Sequence, residues 1–186
     1  IDVSQKPQAA LPEKDWALTG TNMQRKANLV NSLYLQAKDL EDLNFARFDK
    51  YKEIEENETR YETYRTDDAD VVVVAYGAAA RIAQNAIDMA RQEGIKAGLY
   101  RPVTLWPSPG AGLAAPAAKP QVKGFLTPEM NCGQMVDDVA LAASGPQPVQ
   151  FSGRTGGMIP PVQELADAAK QMEGRGPADG DTLQAR

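Results

Sequence analysis

Three short stretches of this chain carry side chains able to do chemistry. Glu129-Met130-Asn131-Cys132-Gly133-Gln134-Met135 sets a carboxylate, two amides and a thiol close together. Buried, Glu129 could serve as an acid or base, Asn131 could cap a following helix, and a helix start favours a reactive thiol at Cys132. Yet no second carboxylate stands beside Glu129, and the chain has no His. Neither an imidazole-activated thiolate nor a histidine triad can be built from it. Cys132 therefore reads more readily as a small packing residue. Ser152-Gly153-Arg154-Thr155-Gly156-Gly157 is the second stretch. Its glycines free the backbone for close approach and Arg154 offers a planar fork to a carboxylate or phosphate. It reads either as an anion or subunit contact or as a flexible loop with a surface arginine. The third is Gly77, which follows an apolar run. A dinucleotide-binding turn needs three glycines, and AYGAAARIA supplies one, so a plain strand-to-helix turn is expected.

Composition narrows the chemistry further. The 186 residues include 20 basic and 25 acidic side chains, for a net charge of −5, without a Lys/Arg-rich stretch. Binding to nucleic acid through phosphate neutralisation is not expected on that ground. No apolar run approaches the ~20 residues that cross a bilayer, so no membrane partner is expected. One Cys rules out an internal disulfide and an iron–sulfur cluster ligated by this chain alone, and the absence of His removes the usual zinc sites. The first residue is Ile1, followed by a polar, Pro-containing stretch to Gly20, which suggests a fragment or a processed chain. Asp179-Gly180-Asp181 superficially matches a thiamine diphosphate metal motif. It lacks the first glycine, the preceding buried strand and the downstream asparagine, and is set aside.

These groups must be positioned by secondary structure that the pattern also predicts. An extended segment is expected over residues 1–37. From Lys38 to about Arg65 the chain has neither Gly nor Pro, and Leu40, Leu43, Phe48, Tyr51, Ile54, Tyr61 and Tyr64 recur mostly at spacings of three or seven. A long linker helix over 38–66 follows, with one sticky face. That face either lies against its own domain or meets another subunit. At Asp70 the period changes: Val71-Val72-Val73-Val74-Ala75-Tyr76 suits a strand buried on both faces. Helix over 78–93, strand over 97–100, strand over 122–127, helix over 133–143, strand over 148–151 and helix over 162–172 complete an α/β domain from 68 to 173, with a flexible tail over 174–186. The expected fold is a three-layer, mostly parallel sheet flanked by helices. Such sheets place their contacts beyond the carboxyl ends of the strands. This brings Arg101, Glu129, Asn131, Gln134, Arg154, Gly156 and Gly157 forward as interface or anion-contact candidates. Glu129, Asn131, Gln134 and Arg154 are expected to cluster on one edge.

Four ordered motifs give a resemblance. They are Asp70–Gly77, Gly98-Leu99-Tyr100-Arg101-Pro102-Val103-Thr104-Leu105-Trp106-Pro107, Glu129–Val139, and Gly153-Arg154-Thr155-Gly156-Gly157-Met158-Ile159-Pro160. Together they resemble the C-terminal domain of the alpha subunit of 2-oxoacid:ferredoxin oxidoreductases. Asn31-Ser32-Leu33-Tyr34 and Glu55-Glu56-Asn57-Glu58-Thr59-Arg60-Tyr61 look most like the branched-chain (2-oxoisovalerate) group. The resemblance implies a fold like the C-terminal domain of transketolase, a role in assembly rather than chemistry, and a cytoplasmic setting. It also implies a complex that decarboxylates a 2-oxoacid to an acyl-CoA and passes electrons to ferredoxin. No cofactor is expected on this chain alone. In the complete complex, thiamine diphosphate with Mg would sit mainly on a beta subunit, and 4Fe-4S clusters in other chains. The implied partners are that beta subunit, a gamma subunit and a ferredoxin-like subunit, with ferredoxin and coenzyme A at the level of the complex. The alternative is a stand-alone module for a small anion or nucleotide. The sequence departs from the family pattern over 107–120, where Pro109, Gly110, Gly112, Pro116 and Pro120 oppose a regular helix.

Overall fold

The computed structural model describes residues 10–174. Asp179-Gly180-Asp181 and the expected tail beyond Gly174 lie outside the described residues. Two compact units divide between Arg47 and Phe48. In the first, residues 10–36 form no helix or strand. Their order comes from local polar bonds: Arg25 donates to the carbonyl of Thr19 at 3.2 Å and to its hydroxyl at 2.8 Å. Asn28 donates to the carbonyls of Asp15 and Ala17.

Helix α1 (Ala37–Glu58) buries none of its residues, and Leu40, Phe48 and Tyr51 remain exposed. It stops at Glu58, short of the limit its stripe of apolar residues suggests. The Thr59 hydroxyl donates to the carbonyl of Glu55, the one that the Thr59 N–H would take if the helix went on. Tyr61–Tyr64 is instead strand β1. Tyr61 and Tyr64 fit a helical spacing of three, but Thr59, Tyr61 and Thr63 fit a period of two with β-favouring residues, and tertiary pairing decides in favour of the strand.

The second unit holds a five-stranded sheet of order β1-β3-β2-β4-β5, from β2 (Val71–Val74), β3 (Ala97–Pro102), β4 (Gly124–Glu129) and β5 (Val149–Gly153). The last four run parallel, while β1 lies antiparallel to β3 with Glu62 opposite Arg101. Crossover helices cover both faces, giving three layers. Val71 and Val73 point to the side of α2 (Gly77–Gln92) and α5 (Val162–Glu173), where small residues such as Ala83, Ala86, Ala166 and Ala169 allow close approach. Val72 and Val74 point to α3 (Gly110–Ala117) and α4 (Met135–Ala143), against Tyr100, Leu113, Phe125 and Val139. An all-valine strand with both faces covered is what a central parallel position requires. Pro128 sits inside β4 because pairing with β2 ends at Leu126, so its missing N–H breaks no bond on that side.

The Pro/Gly-rich stretch does form a helix, but one of only eight residues, with Pro116 buried in its last turn. Gly112 explains why this helix tolerates so poor a composition. A Cβ there would stand 2.5 Å from the Tyr100 hydroxyl and 2.6 Å from the Tyr61 ring. The helix thus lies directly on the stacked pair Tyr61–Tyr100, whose centroids are 4.8 Å apart.

Candidate functional site

The carboxyl ends of the parallel strands hold the polar cluster that the sequence points to. Glu129 ends β4 with 1% of its surface exposed. Its carboxylate accepts the backbone N–H of Met135 and Val136 at 3.0 Å each, that of Gln134 at 3.2 Å, and the Asn131 amide at 3.0 Å. These are the orphan donors of the first turn of α4. The carboxylate also favourably opposes the helix dipole. The chain reaches this geometry by doubling back at Gly133, whose φ is +98°. Asn131 does not cap the helix itself; its side-chain oxygen accepts from the N–H of Gly133 at 2.7 Å. Every Glu129 lone pair is engaged by an N–H donor, so this carboxylate is a structural cap rather than an acid or base.

Glu129, Asn131 and Gln134 therefore meet, and the backbone of Arg154 joins them by donating to the carbonyl of Glu129 at 3.0 Å. The Arg154 side chain turns away and pairs with Glu164, the carboxylate of the first turn of α5. Arg101 pairs with Glu62 across the β1–β3 ladder at 2.7 Å. Gly156 and Gly157 have φ of +64° and +83°, and a Cβ at either would meet nothing within 4 Å. Their loop is tight in backbone but open to solvent. Gly77, with φ of +54°, opens α2 as a plain turn. Cys132 is exposed.

Beside this cluster lies a feature the motifs did not flag. A cavity of about 220 Å³ opens between α3 and α4, lined by Tyr76, Tyr100, Leu105, Leu113, Val139 and Ala142 among others. Gln134 and Asp138 reach its lining as well. Tyr100 packs its ring there and donates its proton to the carbonyl of Pro109 at 2.6 Å. Burial, and then the neighbouring Tyr61, push its pKa well above the usual phenol range. Asp138, which the sequence places on a solvated helix face, is indeed exposed while it lines this cavity. A signal was present in the helical spacing of Met135, Val139 and Ala142, which lays an apolar strip directly beside Asp138.

Among the described residues no three His, Cys, Asp or Glu side chains group closely enough to hold a metal ion. One Cys cannot ligate an iron–sulfur cluster that needs four thiolates. The arginines at the strand ends pair with Glu62 and Glu164 in partly exposed ion pairs. The described residues thus do not fit either group, and no chemical step is derived through one. No described helix is long and apolar enough to cross a membrane.

A three-layer, mostly parallel sheet with an antiparallel edge and a capped polar cluster at its strand ends defines a transketolase-C-like fold. The chain belongs to the 2-oxoacid:ferredoxin oxidoreductase family, since the model of the pyruvate:ferredoxin oxidoreductase core domain II matches residues 69–165. The ketoisovalerate oxidoreductase subunit VorB of Methanothermobacter thermautotrophicus is 40% identical over 166 residues, 88% of this chain and 45% of that protein. The 2-oxoglutarate synthase subunit KorA of Methanothermobacter marburgensis is 37% identical over 108 residues, 58% of this chain and 28% of that protein. The chain thus spans less than half the length of these relatives. Two solved structures share the fold. One is a 2-oxoglutarate:ferredoxin oxidoreductase from Magnetococcus marinus, with a TM-score of 0.63 at 21% identity over 75% of this chain and 24% of that one. The other is a split-gene transketolase, with a TM-score of 0.53 at 22% identity over 61% of this chain and 41% of that one.

Proposed function

We propose that this chain is the C-terminal portion of the alpha subunit of a cytoplasmic, thiamine-diphosphate-dependent 2-oxoacid:ferredoxin oxidoreductase. On this reading it organises the complex and has no activity alone. The observation that carries it is the state of Glu129: the one buried carboxylate among the described residues is consumed by holding α4. Thiamine diphosphate with Mg and the 4Fe-4S clusters would then belong to the beta, gamma and ferredoxin-like subunits. A branched-chain 2-oxoacid is favoured as substrate because similarity to the ketoisovalerate subunit extends over 88% of the chain, against 58% for the 2-oxoglutarate subunit. A stand-alone anion-binding module is disfavoured, because Arg101 and Arg154 already hold carboxylates of the same chain.

The test is viologen reduction in the presence of coenzyme A, with 2-oxoisovalerate, pyruvate and 2-oxoglutarate as substrates. The complete complex carrying this region is expected to turn over the branched substrate fastest, and the isolated chain none of them. Turnover by the isolated chain would refute the assembly role. A preference for 2-oxoglutarate or pyruvate would refute the substrate assignment.

A further inference from the structure

From Ala69 to Gly174 seven large apolar side chains are exposed among the described residues, and six of them stand in loops leaving the carboxyl ends of parallel strands. Val103, Leu105 and Trp106 follow β3, Met130 follows β4, and Met158 and Ile159 follow β5. The loops at the opposite edge, residues 93–96, 118–123 and 144–148, expose none. Scattered exposed apolar residues are ordinary on any protein, but confinement to one edge is not scatter. The cavity of about 220 Å³ opens on this same edge, with Leu105, Gln134 and Asp138 in its lining. Asp138 is exposed and joins none of the ion pairs among the described residues.

We infer that the carboxyl-end edge is a protein-docking surface whose cavity receives one bulky apolar side chain of a neighbouring chain, with a basic residue of that chain meeting Asp138. This rests on the assembly reading above and names where and how assembly occurs. A cavity of roughly 150 Å³ already accepts benzene, so the space here suits a leucine or phenylalanine side chain. A small ligand inside the cavity would leave the exposed residues around it in water, whereas a protein surface covers them together. That asymmetry selects a macromolecular partner. The charge selects its chemistry: an acidic neighbour would be repelled by Asp138 and a purely apolar one would bury it unpaired, so a basic residue beside the anchor is the complementary partner. A central apolar anchor in a pocket, ringed by weaker contacts, is the usual layout of a binding hot spot.

The experiment introduces Leu105→Ser, Asp138→Lys and Ala142→Phe separately into the complete complex and measures subunit dissociation by analytical ultracentrifugation. Leu141→Ser, at an exposed position on α4 outside the cavity lining, is the control. Leu105 and Asp138 are exposed, so their replacement leaves the core intact, and circular dichroism checks each variant. Each of the three is expected to weaken association about tenfold or more, with the control within about twofold of wild type. If the complex forms but Leu105→Ser and Asp138→Lys associate like wild type, the docking surface is wrong while the assembly role stands. Equal weakening by the control would also overturn it. If no complex with the thiamine-diphosphate-binding subunit forms at all, both readings fall.

Discussion

Replacing Glu129 by Gln tests whether this residue is the cap of α4. The substitution keeps size and shape but converts one acceptor oxygen into a donor. In the native structure one oxygen takes the N–H of Val136, the other takes those of Met135 and Asn131, and Gln134 points at both. The glutamine amide can satisfy one of these groups and must present N–H to the other. Met135 and Val136 are themselves buried, so water cannot replace the lost partner. One or two buried donors left unpaired, each costing about 1–3 kcal/mol, give an expected destabilisation of roughly 2–4 kcal/mol. Against a total stability of about 5–15 kcal/mol this is a large fraction, equivalent to a fall of roughly 5–15 °C in melting temperature. Urea denaturation followed at 222 nm supplies the free energy. Hydrogen exchange supplies the location, since the amides of Met135 and Val136 should lose protection before those of β2. A Glu129→Gln protein within about 0.5 kcal/mol of wild type, with unchanged protection at α4, would refute the capping argument.

Three further outcomes are expected. Gly112→Ala should destabilise by about 1–3 kcal/mol, because the new methyl meets the Tyr100 hydroxyl at 2.5 Å and the backbone must retreat; thermal melts would show it, and near-ultraviolet dichroism should report the displaced tyrosines. Tyr100 is held well above its usual pKa of 10.0, so the unfolded chain loses this proton first and stability should fall as pH rises past about 10; absorbance at 295 nm should show one of the six tyrosines ionising only as the fold opens. Arg91 donates to Asp68 and holds its pKa below the usual carboxylate range, so that contribution is present above pH ~4 and is lost as acid carries Asp68 through its depressed folded value; Arg91→Met should flatten this part of the stability–pH curve.

The parallel core was open to reading because its signals are local. Four consecutive valines, a glycine, and an alanine-rich segment at helical spacing each state their own structure. β1 was not, since Tyr61–Tyr64 satisfies two periods at once and only the distant β3 decides between them. The short helix over 110–117 escaped for a related reason: its proline and glycines oppose a helix locally, while the tyrosine pair beneath it needs a glycine at 112. At the site, the meeting of Glu129, Asn131 and Gln134 follows from their nearness in sequence. The capping role of Glu129 does not, because its donors lie five to seven residues ahead and are brought back by a left-handed glycine. The partners of Arg101 and Arg154 lie 39 and 10 residues away and depend wholly on the sheet.

The region recognised as the family's domain begins at residue 69, yet the sheet begins at Tyr61. β1 covers the outer edge of β3 along four residue pairs, Thr104 receives the N–H of Arg60, and Gly98 has room for no Cβ because the Arg65 carbonyl lies where it would stand. Arg91 reaches back to that same carbonyl at 2.8 Å. A chain cut at the recognised boundary would therefore lose a strand rather than a linker. It would present the edge of β3 that β1 covers, Leu99-Tyr100-Arg101-Pro102, to any other strand in solution. Such a truncated domain should self-associate more readily than the longer chain, because the family match begins eight residues inside the sheet.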